Sequence, residues 1–307
     1  MPCPARIPPQ PNSYEWIERF QPHFDHPDFR VAKGADETAR AWHGGLKNLV
    51  AGTTTVAHHD PWCAAFDDPR FPVDVVRDTT WSHSLRFAGR YGAAIQESYR
   101  SDRLFFLHLA EGTDEVAAKE LSELDALGAL ARNTVLVHGV GLTAEDQALV
   151  VERGAGVVWC PASNLFLLGR TLDPRRLFDA GRLALGTDSR FTGSRDLLEE
   201  LKVAREESDL TPRELFLLAT EAGARLLHLG NRDGDLFVTR DPGGDPFVAL
   251  LGLSRGDVRL VVRGGVPRLG DPEFAPLLGD AVAFELDGCP KLARHGAWRR
   301  DAAALGL

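Results

Sequence analysis

One pattern constrains this chain more than any other. From residue 53 to residue 229, short apolar or β-branched runs alternate with amphipathic stretches of helical period. The runs are TTTVAHH (53–59), PVDVVRDTTW (72–81), LFFLHLAE (104–111), TVLVHGV (134–140), GVVWCP (156–161) and RLALGTDS (182–189). Before, between and after them lie helical patterns at 36–51, 114–130, 143–153, 176–181, 194–208 and 211–229. The helix starts carry their own signals. Thr143 stands where an N-cap should, and Thr211, Pro212 and Glu214 spell a capping box with proline at the first helical position. Strands separated by helices of this length pair in parallel, because each crossover returns the chain to the same end of the sheet. The expectation is an α/β chain with about six parallel strands before Asp188.

The flanks read differently. Residues 1–30 hold seven prolines (Pro2, Pro4, Pro8, Pro9, Pro11, Pro22, Pro27) and are expected to form an extended surface segment. After Gly230, DLFVT, FVALLG, VRLVVRGGVPRLG and AVAFEL read as short strands joined by Gly and Pro turns with no helix between them. Three regions are expected: the proline-rich segment at 1–30, a β/α unit at 31–230, and a small antiparallel β module at 231–307, closed by a terminal helix.

Composition narrows the function class. The net charge of −9 argues against nucleic acid as a partner, which would call for a basic surface. No run of about 18 apolar residues exists, so no membrane span is expected. The four cysteines (Cys3, Cys63, Cys160, Cys289) form no CxxC pair and suit a reducing compartment, so the cytoplasm is expected. The expected partner is a small-molecule substrate, with homo-oligomerisation left open. An HExxH helix, a P-C-x-x-C zinc motif and a G-x-G-x-x-G fingerprint are all absent, which removes three enzyme classes.

The polar residues at strand ends carry the chemistry. His108 and Glu111 follow LFFL, His138 follows TVLV, and Asp188 follows LALGT. In a β/α barrel the strand C-termini converge on one face, so these groups would meet in one pocket. Imidazole and carboxylate are the ligands of a divalent zinc or iron, and a carboxylate three residues past a ligand can move protons. Each residue alone has a structural alternative: a hydrogen-bonded histidine, a turn aspartate, a solvated glutamate. In this order the set favours metal-assisted hydrolysis.

HLAEG, LVHGV, CPASNLFL and GTDS, at these spacings, resemble the amidohydrolase superfamily, in the branch of chlorohydrolases, guanine deaminases and S-adenosylhomocysteine deaminases. GLKNLVAGTTTVAHHD (45–60) resembles the helix and second barrel strand of that branch. The resemblance covers about residues 40–225 and implies a TIM-like (β/α)8 metal-dependent hydrolase barrel, incomplete here, with a partial C-terminal β-sandwich. It implies hydrolysis of a C–N bond in a cyclic amidine or heterocycle through a metal-activated water, with zinc the expected metal and iron or manganese the alternatives. His108 and Asp188 would ligate the metal, and Asp188 would also accept the water's proton. Glu111 would shuttle a proton. His138 would polarise substrate, orient the water or hold a second metal. Ser163 and Asn164 would shape the substrate loop, unless Asn164 merely caps a turn.

The chain departs from the family in lacking HxH, the pair that ends the family's first strand. His23 and His26 sit in the proline-rich stretch with no strand before them. His58 and His59 are adjacent, so at most one faces inward, as a substitute ligand or a substrate contact. His83, in WSHS, is a further candidate substrate contact. Strand one and the leading sandwich strands are neighbours in the family's order, so one cause, a start beyond both, is expected to account for both. The competing expectation is a ligand-poor remnant that binds a small molecule without turnover.

Overall fold

The computed structural model describes residues 7–86, 102–230 and 232–304. Pro2, Pro4 and Cys3 lie outside the described residues.

The β/α alternation is present. Helix α1 (Ser13–Phe20), α2 (Pro27–Gly34) and α3 (Glu37–Leu49) precede strand β1 (Thr55–Val56). Then come β2 (Asp74–Val75), β3 (Thr79–Ser82), β4 (Leu104–Leu109), helix α4 (Glu115–Ala126), β5 (Thr134–His138), α5 (Ala144–Arg153), β6 (Gly156–Trp159), α6 (Pro161–Leu168), α7 (Arg175–Asp179) and β7 (Leu183–Leu185). Strands β3 to β7 form one parallel sheet in sequence order, and β1 and β2 form a separate parallel pair. The register sets Leu109 against His138, so the polar ends of β4 and β5 lie side by side. Among the described residues no pairing closes these seven strands into a ring, so the complete eight-stranded barrel is not seen.

Core residues explain the sheet. Every residue of β4 is buried, as expected for a parallel strand covered on both faces. Phe105, Leu107 and Leu109 pack with Leu121 and Leu124 of α4, Leu136 of β5 and Trp159 of β6 in the largest apolar cluster.

Two predicted helix starts match. Thr143 and Thr211 each accept from the backbone N–H three residues on and close a capping box, with Asp146 and Glu214 respectively. After α8 (Leu197–Glu206), the helix begun by Pro212 is not regular throughout. It runs as α9 (Pro212–Leu217), a π turn at Leu218–Ala222 and α10 (Gly223–Leu226). The Glu214 carboxylate also pairs with Arg175 at 3.1 Å, and this guanidinium, with the cap N–H, holds its pKa down at about 2. The unfolded value is 4.5, so the stabilisation is complete above that pH and fades as pH falls toward 2. We expect Glu214→Gln to cost about 1 kcal/mol near pH 6, as loss of a cap does, and much less near pH 2. Urea unfolding of both chains at the two pH values checks this.

Three expectations need correction. Residues 1–30 are not an extended segment throughout. Asn12 caps α1 by accepting from Glu15 N, and the buried Trp16 and Phe20 pack with Leu167 and Leu168 of α6. The prolines are compatible because they fall outside α1 or at helix starts, as Pro27 does in α2. The run 72–81 is two strands, broken at Asp78, whose φ is +56°. FVALLG is not a strand. It is helix α11 (Pro246–Gly252), capped by Asp245, which accepts from the N–H groups of Phe247 and Val248. A six-residue apolar run fits either structure by period, and the Asp–Pro pair in front decides for helix.

The remaining C-terminal segments form a five-stranded antiparallel sheet of β8 (Leu236–Thr239), β9 (Val258–Arg263), β10 (Val266–Gly270), β11 (Ala281–Leu286) and β12 (Cys289–Arg294), in the order β11-β12-β10-β9-β8. Two hairpins set its register. Gly264 and Gly265, and Asp287 and Gly288, all have positive φ, as two-residue turns between twisted strands require. Helix α3 lays Trp42, Leu46 and Leu49 against Val258, Val261 and Leu269 of this sheet, so the module is packed onto the β/α unit. The expected terminal helix is present at Arg300–Ala303. No helix is long and apolar enough to cross a membrane among the described residues.

Candidate metal centre

His108 is the hub of a buried polar cluster at the C-terminal ends of the parallel strands. Strand alternation through the covered β4 turns its imidazole inward, where it meets three other rings. The ring centroids of His59, His83 and His138 lie 4.7, 4.9 and 5.1 Å from that of His108, each close to perpendicular. His59 comes from the loop after β1 and His83 from the turn after β3. His83 also anchors the cluster through its backbone, accepting from His108 N at 3.1 Å.

One nitrogen each of His108 and His138 and one oxygen of Asp188 lie within 4.8 Å of one another. Two of these residues sit on unusual backbone. His138 has φ +78° and Asp188 +51°, and Ala110, just before Glu111, has +52°. Left-handed backbone costs a non-glycine residue about 1–2 kcal/mol, so three such residues in one pocket mark a place where position outweighs local stability.

Hydrogen bonds fix the groups. Asn164 Oδ1 lies 2.8 Å from His138 Nδ1, and the Asn164 amide donates to Thr171 Oγ1 at 3.0 Å, which orients the amide so that its oxygen faces the ring. His138 Nδ1 therefore carries hydrogen, and Nε2 points at Glu111 Oε1, 3.4 Å away. Ser163 Oγ and Thr192 Oγ1 both donate to Asp188 Oδ2, at 2.5 and 2.9 Å, leaving Oδ1 for other partners. Ser163 and Asn164 are fully buried in the first turn of α6, where Pro161 starts the helix. Burial pushes the Glu111 carboxyl up from its ordinary value, with Asp188 adding to the rise. Burial disfavours the His138 cation, but Glu111 and Asp188 outweigh it and leave the group raised. Burial, reinforced by the three neighbouring imidazoles, holds His108 well below the usual histidine range, so it is neutral and fit to ligate.

The structure brings His108, His138, Asp188, Glu111, Ser163, Asn164, His59 and His83 into one cluster. It leaves His58 out of the cluster: that ring packs against Phe66, and its Nε2 lies 3.3 Å from Pro61 O. Adjacent residues point opposite ways, and His59 is the inward one. Several supporting groups carry no sequence signal. Thr192 and Thr171 meet Asp188 and Asn164 only through the fold. Ser13, at the start of α1, donates its N–H to Glu111 O at 3.0 Å and so ties the N-terminal helix to the catalytic strand end. Asn164→Ala should leave the fold intact and lower turnover about 10–100-fold, the usual cost of losing the partner that fixes a histidine. Steady-state kinetics beside far-UV circular dichroism check it.

The donor set suits a metal: two imidazoles, one of them held neutral by burial, and a carboxylate with one oxygen free, all converging from different strand ends. Three protein ligands leave a position open, the arrangement that catalytic rather than structural zinc sites show.

Comparison with known proteins finds these likenesses. Residues 93–241 match the amidohydrolase family. A 5-methylthioadenosine/S-adenosylhomocysteine deaminase of Thermococcus sibiricus is 31% identical over 153 residues, 44% of this chain and 36% of that protein. An aminodeoxyfutalosine deaminase of Deinococcus radiodurans is 41% identical over 107 residues, 34% of this chain and 26% of that protein. The chain thus spans well under half the length of these relatives. Among solved structures, zinc-bound atrazine chlorohydrolase of Arthrobacter aurescens TC1, in complex with atraton, superposes with a TM-score of 0.68 at 18% identity, covering 85% of this chain and 79% of that one. An adenosine deaminase of Xanthomonas campestris with bound zinc superposes with a TM-score of 0.63 at 21% identity, covering 86% and 76%. These two likenesses show a shared fold.

Proposed function

We propose that this chain, whose residues 93–241 match the amidohydrolase family, is a metal-dependent hydrolase of a C–N bond, a deaminase or amidohydrolase acting on a cyclic amidine or amino-heterocycle. The observation that carries this reading is the convergence of His108, His138 and Asp188 within 4.8 Å beside the buried Glu111. The deaminase names of the sequence relatives support the reaction class, and the zinc in both structural neighbours supports zinc over iron or manganese.

His108 and Asp188 would hold the metal. Once bound, the ion would supply a Lewis acid and bring the pKa of a water toward about 7. The chain's own groups do the rest. Asp188, oriented by Ser163 and Thr192, also accepts a proton. Glu111 carries a proton to the leaving nitrogen, which its raised pKa suits. His138, held in one tautomer by Asn164, presents Nε2 to the substrate and to Glu111. His83 and His59 line the approach. The seven parallel strands are read as part of a (β/α)8 barrel, residues 31–230 as the hydrolase unit, and 231–307 as the accompanying β module. A small molecule is the partner, and the free Cys63, Cys160 and Cys289 suit a cytoplasmic setting.

The test is release of ammonia from a panel of amino-purines, amino-pyrimidines and amino-triazines by the zinc-loaded chain. Release that stops on chelation and returns with added zinc supports the reading. Turnover unaffected by complete chelation overturns it.

A further inference from the structure

The amidohydrolase reading leaves one side chain unexplained. His59 Nε2 lies 2.7 Å from His108 Nε2, a nitrogen of the residue read above as a metal ligand. Both rings are largely withdrawn from water, and they meet at 81°. A side chain chosen to contact substrate would leave the ligand nitrogen clear. Instead His59 occupies it, one imidazole donating to the other.

We propose that His59 is itself a ligand of the metal, completing a three-residue set with His108 and Asp188. This rests on reading the pocket as a metal centre. Two observations lead to it. The two ring nitrogens face each other at 2.7 Å, and a cation in that gap would satisfy both lone pairs at once. Ligands about 2.1 Å from a tetrahedral zinc stand roughly 3.4 Å apart, so the two nitrogens need to open by about 0.7 Å. Second, His138 is already engaged on both nitrogens, by Asn164 and by Glu111. A set of His59, His108 and Asp188 leaves His138 to proton traffic and keeps one coordination position open. The chain contains no HxH, and a histidine from the end of β1 reaches the same pocket from a different strand.

The neighbouring His58 supplies the control, since its ring packs on Phe66 outside the cluster. Full-length wild-type protein, His59→Gln, His59→Cys and His58→Gln are freed of metal and titrated with zinc against a chromophoric chelator, then with cobalt. His59→Gln should bind zinc at least about 100-fold more weakly than wild type, beyond the range for loss of an outer-shell partner. His58→Gln should match wild type. His59→Cys should give a sulfur-to-cobalt charge-transfer band that no nitrogen or oxygen ligand produces. Circular dichroism confirms that each variant is folded. If wild type binds one zinc and His59→Gln binds it equally well, the inference falls while the hydrolase reading stands. If wild type binds no zinc, both fall.

Discussion

Glu111→Gln should lower kcat by about 10²- to 10⁴-fold, the range assigned to a positioned general acid or base. The substitution keeps the shape and the backbone contact with Ser13, so the fold should survive. It removes a group that the account uses to carry a proton and that is free of ligand duty. Metal content should be unchanged, because Glu111 contacts His138 and not His108. KM should move little, since the lost step follows binding. A variant that retains full kcat would show that another group passes the proton to the leaving nitrogen.

Asp188→Asn should act earlier, on the metal itself. The amide keeps the size of the carboxylate but loses its charge, and its NH₂ group would face the hydroxyls of Ser163 and Thr192 or the ion. We expect zinc affinity to fall by more than the ~100-fold typical of outer-shell changes, with kcat lost in parallel at ordinary zinc concentrations. Excess zinc should restore only part of the activity, because the proton acceptor is gone as well as the ligand. The two variants therefore separate chemistry from metal retention: Glu111→Gln holds metal without turnover, and Asp188→Asn loses both. Equal metal content in the two would contradict this division of labour.

The parts of the fold legible in the sequence are those where period and end signals agree. LFFLHLAE and TVLVHGV are continuous apolar runs ending in a polar group, and a strand covered on both faces leaves no other pattern. Thr143 and Thr211 announce helices because their caps are local chemistry. Elements were missed where the deciding contact is distant or the period ambiguous. FVALLG is apolar throughout, so only Asp245 and Pro246 distinguish helix from strand. The β11–β12 hairpin turns at Asp287–Gly288, and its second strand, CPKLAR, is of mixed polarity and carries no strand pattern. Helix α1 was hidden by the prolines around it. At the site, His108, Glu111, His138 and Asp188 stood out because each ends a strand. Alternation also required that only one of His58 and His59 face inward, but which one depends on a two-residue strand whose phase the sequence does not set. Thr192, Thr171 and Ser13 have no motif, since their roles come from loops brought together by the sheet.

The most direct test of the account is the zinc stoichiometry of the full-length chain, measured by titrating metal-free protein against a competing chelator, beside His108→Asn and Asp188→Asn. The account predicts one tightly bound zinc per wild-type chain and loss of that binding in each variant, with circular dichroism unchanged. A wild-type chain that is folded yet binds no zinc, or a zinc retained by both variants, would contradict it.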